Sequence, residues 1–139
     1  MNREELKSII REILCEDEQK CPIKLVNLPL IKTTEEDRLQ TGDASHRVYT
    51  HDVFSLQESP RLGCGIMEME RTTFPWTLNY DEIDFVIEGQ LRIVHEEKTV
   101  TANAGELILI PKGSSIQFSV PDRARFLYVT YPADWQGQS

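Results

Sequence analysis

The hydrophobic positions change period once along the chain. In MNREELKSIIREILCEDEQ, Leu6, Ile9, Ile10, Ile13 and Leu14 recur at the spacing of one helical face, while Arg3, Glu4, Lys7, Arg11 and Glu12 take the other. Asn2 can cap the first turn, and Glu5 three residues later completes a capping box. This predicts an amphipathic helix over about residues 3–16. Pro22 and Pro29 then forbid a regular helix, so the next stretch reads as an extended connector that partly packs.

From about Val48 the pattern turns to short β-like runs divided by turn residues. VYTHDVFSL, LGCGIMEME, EIDFVIEG, QLRIVHEE, KTVTANAG, ELILIPKGS, SIQFSV and ARFLYVTYP predict about eight strands, with a turn at Pro121-Asp122 and a hairpin turning near Glu96-Glu97-Lys98. Such spacing marks an antiparallel sandwich or barrel. The expected organisation is a helix over 1–20, a connector over 21–40 and a β-barrel over 41–139.

Length and charge narrow the function classes. The chain's 139 residues amount to one domain with a short extension. A net charge of -8 argues against nucleic acid, whose phosphates need clustered Lys and Arg, and against anionic membranes. No apolar run approaches the length of a membrane span. The three cysteines include no C-x-x-C pair, which points to a reduced, cytoplasmic setting.

Two spacings carry a resemblance. Glu82 is followed by six residues and Gly89, and Gly105 by five residues and Pro111-Lys112-Gly113. These resemble the two motifs of the cupin superfamily, which implies a single jelly-roll barrel behind the N-terminal helix. The metal-binding histidines of those motifs are missing: their positions hold Pro75 and Thr77, or Trp76 and Leu78, and Ile116. No transition metal is therefore expected, and His46, His51 and His95 read as surface or structural residues. FPWTLNYDEIDFVIEGQLRI and AGELILIPKGSSIQFSVPDRARFLYVTYPADWQ resemble the ethanolamine-utilisation protein Q (EutQ) family over about residues 41–136. That resemblance implies association with a bacterial microcompartment and acetate kinase activity, making ATP from acetyl phosphate and ADP. REELKSIIREIL is similar to the amphipathic peptides that dock enzymes to microcompartment shell proteins, with Leu6, Ile9, Ile10, Ile13 and Leu14 as the docking face. The same face could equally pack on the barrel or on a partner copy. Cupins commonly pair, so a homodimer is expected.

The motif points Glu82 into the barrel, and strand alternation puts Tyr80, Asp84 and Val86 on its face. Two neighbouring inward carboxylates, Glu82 and Asp84, raise one another's pKa unless something compensates. They could hold Mg²⁺ through oxygen, work with Tyr80 as acid and base, or sit in hydrogen bonds without chemistry. A ligand of the size of acetate, acetyl phosphate or a nucleotide would also need cations. Lys112 on the Pro-Lys-Gly turn is one candidate. Arg71, Arg92, Arg123 and Arg125 are others; alternation in MEMER puts Arg71 on one face with Met67 and Met69, without fixing which face is inside. A non-catalytic assembly or metabolite-binding module is the rival reading. Trp76 and Trp135 read as packing residues, and Phe126 with Tyr128 as barrel lining.

Overall fold

The computed structural model describes residues 2–17 and 21–138, with the side chains of 12–17 outside that description. The chain divides into two compact units, residues 1–30 and 31–139.

In the first unit, α1 spans Arg3–Asp17. Its start is a capping box: the Glu5 backbone N–H donates to Asn2 Oδ1 (2.7 Å), and the Asn2 N–H to Glu5 Oε2 (3.3 Å). Leu6, Ile9 and Ile10 are exposed; the side chains of Ile13 and Leu14 lie outside the described residues. No helix among the described residues is long and apolar enough to cross a membrane.

The second unit is a mainly β barrel of six strands: β1 (Arg47–Asp52), β2 (Gly63–Thr77), β3 (Asp81–His95), β4 (Lys98–Asn103), β5 (Leu107–Ile110) and β6 (Ser115–Tyr131). The pairing is antiparallel in the order β1-β2-β6-β3-β4, with β5 on the other edge of β3. Six strands stand where about eight were predicted, because three of them run through a corner. β2 shifts register between Glu70 and Thr72, β3 between Val86 and Arg92, and β6 passes both corners near Pro121. The first half of β2 then pairs with the second half of β6, and the second half of β2 with the first half of β6. Two faces result, as in a jelly roll.

The predicted Pro121-Asp122 turn is therefore a bend inside β6. Pro121 lacks an N–H, and the broken register at the corner leaves that donor unneeded. The run Thr72–Thr77 was missed as strand because it contains Pro75; β1 pairs only with the earlier part of β2, so this run is an edge where proline is tolerated. Gly89 makes the β3 corner: its φ is +82°, and a Cβ there would overlap the Arg123 carbonyl. The hairpin after His95 turns at Glu96-Glu97 as expected.

Inward positions form one apolar core. Phe74 stacks on Phe118 (5.4 Å between centroids), and Phe118 on Phe126 (6.4 Å). Met67, Met69, Leu91, Ile93, Ile108 and Ile110 fill around them. Residues 31–40 belong to this unit: Leu39 donates to the Val48 carbonyl and packs on the core, and Arg38 bridges to Tyr49.

Candidate active site

Strand β3 places Glu82, Asp84 and Val86 inside and Asp81, Ile83 and Phe85 outside, and Tyr80, just before the strand, is buried with the inner set, the alternation read from the sequence. Glu82 faces Ile110 on β5 and Thr130 on β6; Asp84 faces Ile108 and Tyr128. Asp84 is 0% exposed and Glu82 5%. Written as two carboxylates, the pair leaves Glu82 Oε2 and both Asp84 oxygens without a donor. Such burial is costly unless a proton or cation compensates.

A proton does so. Burial, then the Glu82 charge and a hydrogen bond to Glu82, push Asp84 well above the carboxylate range. Asp84 is the member whose surroundings favour the protonated form more strongly. Burial raises Glu82 as well, to about 7, against the lowering effect of that hydrogen bond. With both members raised, the pair carries less than one negative charge at neutral pH. Burial, assisted by the Glu82 charge, also pushes the Tyr80 phenol up, so it stays protonated.

Above the pair lies an aromatic throat. The Trp76 indole N–H donates to the Tyr80 hydroxyl at 2.8 Å. Trp135 meets Trp76 edge-on (6.2 Å), with Tyr80 and Tyr128 each 5.9 Å away. Tyr128 fits because its partner on β2 is Gly65, whose missing side chain is the space the ring occupies. Its hydroxyl donates to Asp52 Oδ1 at 2.7 Å. Between throat and acid pair remains a cavity of ≈20 Å³, lined by Trp76, Tyr80, Glu82, Trp135 and core residues. That is room for about one water molecule. Outside the throat opens a vestibule of ≈680 Å³, whose walls include Asp37, Arg38, Asp52, Trp76, Tyr80 and Trp135. Its size suits a small ligand.

The vestibule is acidic. Burial raises Asp37, but the His51 ring (3.0 Å) and the Thr34 backbone hold it below its ordinary value. Glu36 and Asp52 add two more acidic side chains. The one arginine in the wall, Arg38, spends its donors on Glu35 and on the Ala44 and His46 carbonyls. The predicted phosphate contacts are not brought here. Arg71 leaves the MEMER alternation because it sits at the β2 corner with φ 41°, exposed and paired with Glu70 (2.7 Å) and Asp122 (3.9 Å). Lys112 is exposed on the β5–β6 turn, its backbone N–H bonded to Asp81 Oδ1; that turn bonds Leu78, next to the vestibule residue Asn79.

Oxygen-only donors suit Mg²⁺ chemically, but a six-coordinate ion that keeps several waters does not fit a one-water cavity. No group of three or more His, Cys, Asp or Glu that could hold a metal occurs among the described residues. His46 bonds Thr41, His51 bonds Asp37 and His95 meets the Ser115 carbonyl, all structural contacts. Sequence reasoning missed Asp52 and the throat role of the two tryptophans. Nothing local to YPADWQ tells that Trp135 returns to Trp76.

Comparison with known proteins places this geometry. Residues 3–137 match the family described as ethanolamine utilisation protein EutQ. A protein named acetate kinase EutQ from Clostridioides difficile strain 630 is 64% identical over 117 residues, 84% of this chain and 74% of that protein. A protein of the same name from Salmonella typhimurium LT2 is 48% identical over 95 residues, 68% of this chain; the chain spans only 42% of that relative's length. The solved structure of a Clostridium difficile EutQ protein superposes with a TM-score of 0.83 at 64% identity, over 85% of this chain and 86% of the other. A cupin-2 domain protein from Shewanella frigidimarina, 21% identical, shares the fold with a TM-score of 0.52 over 60% of this chain and 78% of its own.

Proposed function

The chain belongs to the EutQ family, and on that premise we propose that it acts in ethanolamine utilisation as an acetate kinase, interconverting acetyl phosphate and ADP with acetate and ATP. The observation that carries this reading is the 64% identity to a protein of that name across 84% of the chain, a span that includes a barrel with an enclosed acid pair. In the direction of acetyl phosphate synthesis, an acetate oxygen attacks the γ-phosphorus of ATP and the bond to the ADP oxygen breaks. Acetate is already ionised, so no base is needed, and catalysis is positioning and charge compensation. Mg²⁺ enters on the nucleotide as part of the substrate. The acidic vestibule favours that cation-loaded form, and Glu82 and Asp84 set the charge at its floor. Tyr80, held by Trp76, offers a protonated hydroxyl at the throat. On this reading the phosphate contact falls to Lys112, which is exposed outside the vestibule wall on the turn that bonds Leu78.

The test incubates purified protein with acetate, Mg²⁺ and ATP and traps acetyl phosphate with hydroxylamine. Enzyme-dependent hydroxamate, reduced in Lys112→Ala, supports the reading; none at substrate saturation overturns it.

The closed interior and the scarcity of cations in the vestibule favour a second reading, a metabolite-binding module that docks to microcompartment shell proteins through α1, where Leu6, Ile9 and Ile10 are exposed. It requires that Leu6→Glu with Ile10→Glu abolish co-purification with shell proteins. On either reading we place a homodimer contact on the outer face of β3, β5 and β6, where Ile83, Phe85, Leu107, Leu109 and Tyr131 are exposed side by side. Light scattering of Leu109→Glu tests it: the variant should be monomeric where the natural protein is dimeric.

A further inference from the structure

Even acetate is too large for the throat as it stands. The cavity behind the rings holds ≈20 Å³, and Glu82 and Asp84 are closed off from solvent. For a ligand to pass from the vestibule to the acid pair, one of the four rings must move. Three stand on paired backbone. Trp76 faces Ile116 across β2 and β6. Tyr128 lies between Gly65 and Asp84, its hydroxyl tied to Asp52. Tyr80 stands between Leu78, which exchanges backbone bonds with Gly113 (2.7 Å) and Ser114 (2.9 Å), and Asp81, paired with Tyr131.

Trp135 is the exception. It follows β6, in residues 132–138, which belong to no strand. The Gly137 N–H donates to Asp134 Oδ1 (3.2 Å), and the Gln138 side-chain amide to the Asp134 carbonyl (2.9 Å), so the segment folds on itself. One bond ties its start to the barrel, from the Thr130 hydroxyl to the Pro132 carbonyl (3.2 Å). Ala133 is buried where Gly63 has no side chain. Among the described hydrogen bonds none links 134–138 to the strands; the Trp135 ring, 7% exposed, does that work.

We propose that residues 132–138 form a lid on the throat, with Trp135 as its plug and Pro132 and Ala133 as its hinge, which swings out to admit an acetate-sized group to the acid pair and closes behind it.

Opening gives up the contacts of Trp135 with Trp76, Tyr80 and Tyr128 and breaks no strand pairing. The open form is then a minor one, about 0.1–10% of molecules, reached in microseconds to milliseconds. Gln136 and Gln138 line the vestibule beside Trp135, so a ligand lying there bears on the closed lid. Closure keeps water from the reacting groups. The closed interior is the lid's resting position. Its purpose rests on the kinase reading, but its motion does not require substrate.

The chain's two tryptophans are the two indoles of this throat. Trp135→Phe and Trp135→Ala each leave Trp76 as the sole indole, so acrylamide quenching of its fluorescence reads how open the throat is. The quenching constant should be about threefold or more greater in Trp135→Ala than in Trp135→Phe. The full chain labelled with fluorotryptophan gives two fluorine NMR lines, and that of Trp135 is the one lost in Trp135→Phe. Relaxation dispersion of this line should show exchange without any ligand. This measurement stands even if Trp135→Ala does not fold. Equal quenching in the two folded variants, or a Trp135 line free of exchange, overturns the lid. Hydroxamate formation is assayed separately: Trp135→Ala should lose about tenfold or more in kcat/KM for acetate, and Trp135→Phe should restore most of it. Full turnover in Trp135→Ala also counts against the lid, whereas a natural chain without turnover that still shows the exchange overturns the kinase reading and keeps the lid.

Discussion

Replacing Glu82 by Gln should stabilise the barrel at alkaline pH relative to its effect at acid pH. Burial raises the Glu82 carboxyl from its ordinary 4.5 to about 7 in the folded protein. Between these values the native state holds a proton that the unfolded chain has released. Stability is therefore greatest below about pH 4.5, falls as pH rises, and reaches its floor above about pH 7. At about 1.4 kcal/mol per pH unit, the interval amounts to about 3 kcal/mol. Asp84 shifts in the same direction, so it adds to the slope rather than opposing it. Glutamine fills the same volume and does not titrate. The stability of Glu82→Gln minus that of the natural protein should thus become more favourable by about 3 kcal/mol between about pH 4.5 and pH 8. Urea denaturation in EDTA, followed by circular dichroism, measures that difference, in which groups remote from the pair cancel. A difference constant to within about 0.5 kcal/mol, or one that moves the other way, refutes the burial argument.

The corner at Gly89 gives a sharper structural outcome: Gly89→Ala should cost several kcal/mol, more than about 3, because the new methyl meets the Arg123 carbonyl at positive φ. A melting temperature within a few degrees of the natural protein would count against the corner. Arg71→Ala should change stability by no more than about 0.5 kcal/mol and leave ATP-dependent acetate turnover unaltered, since its ion pairs are exposed; loss of turnover would restore it to the site. Arg125→Ala should cost about 1–3 kcal/mol, because that guanidinium is mostly buried between Glu68 (2.8 Å) and the Ile31 carbonyl (3.0 Å). Thermal unfolding that moves by less than about 1 °C would contradict it.

Much of this was legible in the order of residues. The helix of residues 3–17 follows from its 3.6-residue period and the Asn2–Glu5 box. The inward set Tyr80, Glu82, Asp84 and Val86 follows from alternation once one member is oriented, because the strand period is two. The strand count did not follow. Corners at Arg71, Gly89 and Pro121 are bulges within paired strands, and locally they carry the same turn residues as strand ends. The placement of Arg71 failed for the same reason, since a bulge breaks the alternation that had put it beside Met69. The throat was beyond sequence reasoning. Trp76 and Trp135 are 59 positions apart in the chain and meet only through the pairing of β2, β6 and β3, which no local pattern encodes.

The account centres on the acid pair beneath Trp76, Tyr80 and Trp135. The most direct measurement is acetyl phosphate formation by the double variant Glu82→Gln, Asp84→Asn beside its unfolding free energy at about pH 8. The account predicts that the two part company: the neutral pair gives a more stable barrel, while kcat/KM falls by about a hundredfold or more. Undiminished turnover in a folded double variant would contradict it.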